Sequence, residues 1–435
     1  MGVENIIFLI IFIAASLLFT KNLKRIIRNI KLGKDIDRSD NPVLRWKTMA
    51  RVALGQSKMV VRPIAGVLHI LVYVGFVIIN IEVIEIIIDG IFGTHRVLSF
   101  MGSFYNFLIG SFEVLAFLVL VACVILYFRR NFVKIQRFWK PEMKGWPSSD
   151  ANLILIFEVL LMSAFLFMDA ADYLLQQKGF YHHAGAFPIS TMLTPILAGL
   201  SEGSLLLIER FCWWFHIIGI LGFLNYLVVS KHLHILLAFP NTYYSNLNPK
   251  GEFTNMASVT NEVKLMLDPN ADPFAAPASD TPAERFGAKD VTDLNWVQLM
   301  NAYTCTECGR CTSECPANAT GKKLSPRKIM MDVRDRVEEV GKGIDKNGTD
   351  YSDGKSLLND FITPEELWAC TSCNACTEAC PINIDPLSII VDMRRYLVME
   401  ESAAPTQLNM MFTNVENNGA PWQFPAADRL NWKNE

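Results

Sequence analysis

Long apolar runs separated by short polar segments fill the first half of the chain, whereas polar and apolar positions are mixed in the second half. Five of the runs approach or reach the ~17–25 residues that a helix needs to cross a bilayer. They cover residues 6–20, 64–88, 104–128, 151–169 and 211–230. The first is the shortest, and basic residues follow it rather than precede it, so we expect a retained helix and not a cleaved signal peptide. A soluble all-α protein is the alternative, and the charge pattern argues against it.

The loops that join these runs are alternately rich and poor in lysine and arginine. Residues 21–62 hold twelve of them and residues 129–144 hold six, whereas the other two loops are poor in them, with Arg96 in one and Lys178 in the other. Basic loops stay in the cytoplasm, so we expect the N-terminus outside and the chain after the fifth helix in the cytoplasm. The net charge of −3 gives no indication of a nucleic-acid partner.

Two of the predicted spans carry histidines, which are costly inside a membrane and therefore point to function. His69 lies about 10 Å inside the second span by helix rise. His216 and His234 are five whole turns apart on one continuous helix, hence on one face and about 27 Å apart, with His232 on the opposite side. This arrangement predicts a b haem held by His69 and His234. His216 would serve an outer haem, but Ile79 occupies the depth of its missing partner, so that haem is either absent or has another ligand.

Four carboxylates also lie within the spans. A quinone site needs a group that exchanges protons, and Glu82 and Glu85 share a face at the outer end of the second span. Carboxylates reaching out to the interface are the alternative for that pair. Glu113 and Glu158 are deeper, and we expect them either to join the quinone site or to pair with each other.

Eight of the ten cysteines form two runs in the second half of the chain. Both runs read C-x₂-C-x₂-C-x₃-C-P, a spacing typical of [4Fe–4S] clusters in which the fourth cysteine binds the other cluster. The first predicted ligand set is Cys305, Cys308, Cys311 and Cys380. The second is Cys370, Cys373, Cys376 and Cys315. A zinc site would use separated pairs or include histidine, and none lies nearby. We expect Cys123 and Cys212 to be apolar packing residues.

The flanks of the cysteine runs read as helices. Ser325, Thr363 and Asp385 each precede a proline, the pattern of a capped helix start. The first of these helices should end near Gly341. The predicted fold is all-α, a five-helix transmembrane haem-binding bundle followed by an α-helical two-[4Fe–4S] ferredoxin domain. Its divisions are 1–239 for the bundle, 240–293 for a linker that is extended over 268–282, 294–400 for the cluster domain, and 401–435 for a tail that contacts a partner.

The chain resembles the fused membrane iron–sulfur oxidoreductases related to heterodisulfide reductase, which include electron-transfer-flavoprotein:quinone oxidoreductases. The resemblance is carried by RPIAGVLHILVYVGF (62–76), by residues 213–241 and 286–316, by the second cysteine run, and by residues 414–432. The membrane half resembles the gamma subunit of respiratory nitrate reductase, a quinol-oxidising dihaem protein. That resemblance places His69, His216 and His234 on haem-ligand positions and departs from the pattern at Ile79.

These resemblances imply an electron-transfer subunit of a quinone-linked oxidoreductase in the bacterial inner (cytoplasmic) membrane. The fused relatives continue into a CCG domain, whereas the sequence stops at Glu435, so the expected partner is a separate CCG-domain iron–sulfur subunit. An electron-transfer flavoprotein or dehydrogenase is a further expected partner. The alternative function is a redox-responsive membrane anchor or sensor without sustained electron flux.

Overall fold

The computed structural model describes residues 2–270 and 285–434. These residues form helices joined by loops, and the only β-type pairings among them are two isolated bridges. The all-α prediction is therefore confirmed. Residues 271–284, which include most of the predicted extended linker, lie outside the described residues.

Within the part of the chain that the structure describes, five helices are long and apolar enough to cross a membrane. They are α1 (Val3–Ile30), α3 (Pro63–Phe92), α4 (Ser103–Asn131), α5 (Trp146–Gln177) and α7 (Glu202–Leu227). The short α2 (Pro42–Met49) and α6 (Thr194–Leu197) lie between them. Each of the five predicted spans corresponds to one of these helices. Most of the helices are longer than the apolar run, because polar residues at their ends are helical as well.

The long helices pack in a closed order. α3 packs on α4, α4 on α5 and α5 on α7, while α1 contacts both α3 and α7. Close approach is needed at Gly75, where an added Cβ would lie 2.4 Å from a methyl group of Val119. Aliphatic and aromatic side chains form the core of this bundle, and charged side chains such as Glu113 and Asp169 are buried beside them.

The fifth span is not one continuous helix through His234, and that expectation was wrong. α7 ends at Leu227, and Ser230 caps a single 3₁₀ turn by accepting a hydrogen bond from the backbone N–H of His232. α8 (His234–Tyr243) then begins. The whole-turn argument relating His216 to His234 therefore fails, and the ring of His232 lies beside that of His234, with centroids 5.6 Å apart, rather than opposite to it.

The remaining helices belong to the second half of the chain. They are α9 (Ala257–Leu267), α10 (Trp296–Thr304), α11 (Arg310–Ser313), α12 (Pro316–Ala319), α13 (Pro326–Asn347), α14 (Leu357–Asp360), α15 (Pro364–Trp368), α16 (Ala375–Ala379), α17 (Pro386–Met399) and α18 (Thr406–Asn418). The predicted caps are confirmed: Ser325, Thr363 and Asp385 accept backbone hydrogen bonds at the starts of α13, α15 and α17.

The predicted end of α13 near Gly341 was wrong, because the helix continues to Asn347. Gly341 instead permits close approach of α1: an added Cβ would lie 2.3 Å from Oδ1 of Asn29. Arg28 reinforces this contact by donating to the carbonyl of Gly341 at 3.0 Å. The glycine is thus a packing residue between the two halves.

The two halves share one hydrophobic core. Ile26 and Ile30 of α1 are buried together with side chains of α10, α13 and α17. Outside the core, Trp296 donates its indole N–H to the carbonyl of Ile36 at 3.2 Å, and the buried Arg327 binds Glu142 at 2.6 Å. The cysteine-bearing half is therefore packed firmly on one end of the helical bundle.

Candidate redox site

Both cysteine runs adopt the same local backbone. The residues two and four positions after the first cysteine have positive φ in each: Glu307 and Gly309 at 55° and 70°, Ser372 and Asn374 at 56° and 59°. In both runs the amide two residues on donates to the first cysteine's sulfur, at 3.4 Å. A short helix, α11 or α16, follows each loop, and these two helices pack together. The two cysteine runs therefore form the same loop structure, and the two loops lie side by side.

The thiols of the two runs lie close together, in contacts that can be compared with the predicted ligand sets. Electrostatic interactions link Cys305 to Cys308 and Cys380, and link Cys311 to all three of them and also to Cys376 of the other set. Cys370 interacts in the same way with Cys315 and Cys373, and Cys376 interacts with Cys370. A small cavity brings together part of this set; its cysteine lining is Cys305, Cys308, Cys311, Cys376 and Cys380. The geometry thus fits the exchange of Cys315 and Cys380 between two clusters.

The chemistry of the donors also fits a bound metal cluster. Burial raises the pKa of the Cys305 thiol to about 12, with a contribution from the neighbouring thiols. A bound metal cation would favour the thiolate over the thiol at this buried position. Among the described residues, no three or more His, Cys, Asp and Glu side chains converge on a position for one ion. Cysteines of a cubane need not converge in that way, because each binds a different iron.

His69 of α3 and His234 of α8 face each other at the end of the bundle nearest the cysteine loops. Their ring centroids are 6.4 Å apart. Two imidazoles that clamp one metal have centroids about 6.2 Å apart, given metal–nitrogen bonds of about 2.0 Å and a ring nitrogen about 1.1 Å from its centroid. His234 Nδ1 lies 3.0 Å from the carbonyl of Lys231, which can only accept, so Nε2 is left free for a ligand role. This pair fits the predicted b-haem ligands.

His216 lies deeper, between α7 and α5. Its Nδ1 donates to the carbonyl of Leu161 at 3.1 Å, and its ring lies against Phe165. Ile79, at the depth where a partner histidine would be needed, is buried in the apolar core. The structure does not bring a second histidine to His216 among the described residues.

Sequence reasoning missed an ion pair that joins the cysteine half to the histidine pair. Lys231 Nζ binds Glu307 at 2.7 Å, and Arg334 binds the other carboxylate oxygen at 2.7 Å. Burial raises the pKa of the Glu307 carboxyl, but the two cations outweigh it and hold that pKa below its ordinary value. The signal available in the sequence was the acidic residue inside the first C-x₂-C spacing.

A cavity of about 520 Å³ opens at the other end of the bundle, a size typical of small-molecule sites. Its apolar wall includes Phe8, Trp213 and Trp214. Glu82 and Glu85 line it as well, and Glu82 Oε2 is buried without a hydrogen-bond partner among the described residues. The structure therefore brings together the two carboxylates that sequence spacing had paired.

Glu113 and Glu158 do not join this cavity or each other. Glu113 accepts the backbone N–H of Ile189 at 2.9 Å, and Glu158 lies near Cys123. The expected pairing of these two glutamates was wrong, because the loop before α6 supplies Glu113 with backbone donors. Arg96 and Asp172, which the sequence reasoning did not single out as site residues, also line the cavity. Arg96 binds Asp169 at 2.7 Å and Asp172 at 2.6 Å.

Comparison with known proteins supports an iron–sulfur cluster domain in the second half of the chain. Residues 304–384 match the 4Fe-4S dicluster domain. Over 99% of the chain, 28% of residues are identical to the probable iron-sulfur-binding oxidoreductase FadF of Bacillus subtilis, and 29% over 92% of the chain to EtfAB:quinone oxidoreductase of Syntrophomonas wolfei. The chain spans 61% and 55% of the lengths of those relatives.

A shorter match of 35% identity covers 34% of the chain and 24% of a probable membrane-anchored ferredoxin of Chromohalobacter salexigens. No solved structure matches the chain. The chain is thus similar along nearly all of its length to iron–sulfur oxidoreductases, with heterodisulfide reductase-like proteins among its relatives, and it carries their 4Fe-4S dicluster domain.

Proposed function

We propose that this protein is a membrane electron-transfer subunit, in which two [4Fe–4S] clusters and a b haem carry electrons between a cytoplasmic redox partner and a quinone. The 6.4 Å separation of the His69 and His234 rings, beside the first cysteine loop, is the observation that carries this proposal. The quinone-linked function of the Syntrophomonas relative supports it. The basic loops support a cytoplasmic position for the cysteine half, in a bacterial inner membrane.

The structure supports an order for the sites. Arg310, within the first cysteine run, interacts electrostatically with both His69 and Cys308. Cys373 of the second run is instead exposed to solvent. We therefore place the first ligand set (Cys305, Cys308, Cys311 and Cys380) next to the histidine pair, and the second (Cys370, Cys373, Cys376 and Cys315) toward the partner.

The quinone is assigned to the cavity lined by Glu82 and Glu85. The indole of Trp213 and the ring of Phe8 offer an apolar wall for a quinone ring, and the unpartnered oxygen of Glu82 can hold a proton beside it. Glu85 is held in place by Tyr105, which donates to it at 2.9 Å. His216 lies one turn from the cavity wall and is the proposed ligand should a second haem connect this end.

The proposed partner is a CCG-domain iron–sulfur subunit, with an electron-transfer flavoprotein or dehydrogenase beyond it. The tail offers a surface for it, because α18 and the residues after it expose large apolar side chains. These are Met410, Phe412, Val415, Trp422, Phe424, Leu430 and Trp432. Purifying the full chain from membranes and identifying the co-purified subunits tests this part of the proposal.

Visible spectroscopy of the purified protein tests the haem site. We expect b-haem bands that change when a quinol analogue is added. His69→Ala and His234→Ala should each abolish the bands, while His183→Gln, in an exposed loop, should leave them unchanged. His216→Ala reports the second haem: a lower haem content per chain supports an outer site, and an unchanged content removes it. If the wild-type protein shows no haem bands, the redox-responsive anchor becomes the better reading.

The quinone site has a separate test. Glu82→Gln should slow haem reoxidation by a quinone analogue at least tenfold while the haem spectrum is retained. Glu202→Gln, an exposed glutamate at the start of α7, is the matched control and should have no effect. Equal rates for the two variants would move the quinone away from this cavity.

A further inference from the structure

Lys231 occupies the break between α7 and α8 and contacts two candidate sites at once. Its backbone carbonyl lies 3.0 Å from Nδ1 of His234. Its ammonium donates to Oε2 of Glu307 and to the carbonyl of Pro147, both at 2.7 Å. One residue therefore links the imidazole of the histidine pair to the loop of the first cysteine run.

Glu307 completes the connection on the cysteine side. Its backbone N–H donates to the sulfur of Cys305 at 3.4 Å, and its φ of 55° belongs to the tight turn between Cys305 and Cys308. Arg334 holds its second carboxylate oxygen. The side chain is thus fixed at one end by two cations and at the other by the cysteine loop.

We propose that Lys231 is a positioning residue that sets the first cysteine loop against the His69–His234 pair through its ion pair with Glu307. The inference rests on the proposed cluster and haem sites, since it concerns their alignment. The second cysteine loop has Ser372 at the position of Glu307, and Ser372 makes no ion pair. This ion pair therefore belongs to only one of the two cysteine loops, the one that faces the bundle.

The Lys231–Glu307 ion pair is buried, and breaking it should therefore disturb the segments that carry it. The Lys231 and Glu307 side chains are 9% and 3% exposed, so water screens their attraction far less than at a surface. Removing Lys231 leaves the buried Glu307 with Arg334 but without its second cation, and the two segments lose the contact that held them together, so they must move or open. The turn at 228–233 and the loop at 305–308 should consequently loosen together.

Hydrogen–deuterium exchange of the full-length protein in detergent measures this coupling. Lys231→Met should speed amide exchange at least tenfold in both residues 228–236 and residues 303–310, and leave residues 368–375 of the second loop unchanged. Lys323→Met is the control: it breaks an ion pair with Glu365 in the same half, but one in which both side chains are more than 60% exposed. The control should change exchange less than twofold.

The double variant Lys231→Met/Glu307→Gln separates positioning from stability. It also removes the carboxylate that had lost one of its two cations and leaves Arg334 with Asp335, so thermal stability should recover in part, while exchange in both segments stays fast and the reduction potential of the first cluster differs from that of the wild type. Full recovery of all three readouts would show a purely structural pair and overturn the inference. Unchanged exchange in Lys231→Met would overturn it as well. Wild-type protein that lacks haem and iron would instead contradict the proposed function, because exchange can be read without cofactors.

Discussion

Gly309 offers the sharpest test of how the cysteine loops are built. Its φ is 70°, and an added Cβ would lie 2.5 Å from Nη1 of Arg327. Arg327 cannot simply move aside, because its side chain is fully buried and bound to Glu142. In Gly309→Ala, the left-handed backbone should cost about 1–2 kcal/mol and the crowding about 1–3 kcal/mol, together about 2–5 kcal/mol.

The duplicated loop supplies a matched control. Asn374 holds the equivalent position with a φ of 59°, and Asn374→Gly should change stability by no more than about 0.5 kcal/mol, because relief of the left-handed backbone offsets the greater freedom of the unfolded chain. Gly309→Asn distinguishes the two causes. Asparagine tolerates the left-handed backbone but still meets Arg327, so it should remain costly.

Thermal denaturation of the detergent-purified protein and its iron and sulfide content per chain measure the outcome. At roughly 2–4 °C per kcal/mol for a domain of this size, Gly309→Ala should lower the midpoint by about 4–20 °C and lose iron first from the first ligand set. A midpoint and an iron content equal to those of Asn374→Gly would refute the reasoning. A tolerated Gly309→Asn would show that the contact with Arg327 carries no cost.

Three further outcomes follow from contacts described above. Gly341→Ala should be destabilising in thermal denaturation, since crowding against Asn29 at about 1–3 kcal/mol exceeds the gain in helix propensity of about 1 kcal/mol; Asn29→Ala should relieve part of the loss. Burial raises the pKa of Glu142, but the hydrogen bond from Arg327 outweighs it, and the pKa lies below its ordinary 4.5. The Arg327–Glu142 contact between the halves should therefore be fully stabilising above pH 4.5 and be lost as the pH falls through the lowered pKa. Limited proteolysis should show this loss as faster cleavage at low pH in the wild type, and Arg327→Met should lack that pH dependence. Oxidant should destroy the cluster at the exposed Cys373 first, leaving the other cluster's electron paramagnetic resonance signal.

Helix starts could be predicted because their causes are local. A cap before proline, as at Ser325, acts through one backbone N–H. The two cysteine loops could be recognised from their repeated C-x₂-C-x₂-C-x₃-C-P spacing, and the exchange of ligands between them stays a prediction. The end of α13 could not be predicted in the same way. Gly341 carries no local sign of whether it stops a helix or admits another one, and the answer depends on Asn29, which is distant in sequence.

The proximity of His69 and His234 was predicted from the depth of His69, while the whole-turn argument from His216 was wrong, and haem ligation by the pair stays a prediction. His69 and His234 do face each other, yet the helix assumed to connect His216 and His234 is interrupted by a turn that Ser230 caps. Periodicity cannot reveal such a break when apolar residues continue through it. The ion pair of Lys231 could not be predicted either, because its partner Glu307 is 76 residues away in the sequence.

The proposed exchange of Cys315 and Cys380 has a consequence for how the protein is made. The first cluster needs a ligand that the ribosome adds 75 residues after Cys305 (380 − 305). Three of its four ligands are in place once Cys311 is added, and the fourth follows 69 residues later (380 − 311), a wait of about 3–14 s at about 5–20 residues per second. A chaperone or scaffold that delivers iron–sulfur clusters would therefore have to act after Cys380 has been added. A nonsense mutation between the two runs would cost the cell both clusters, not one.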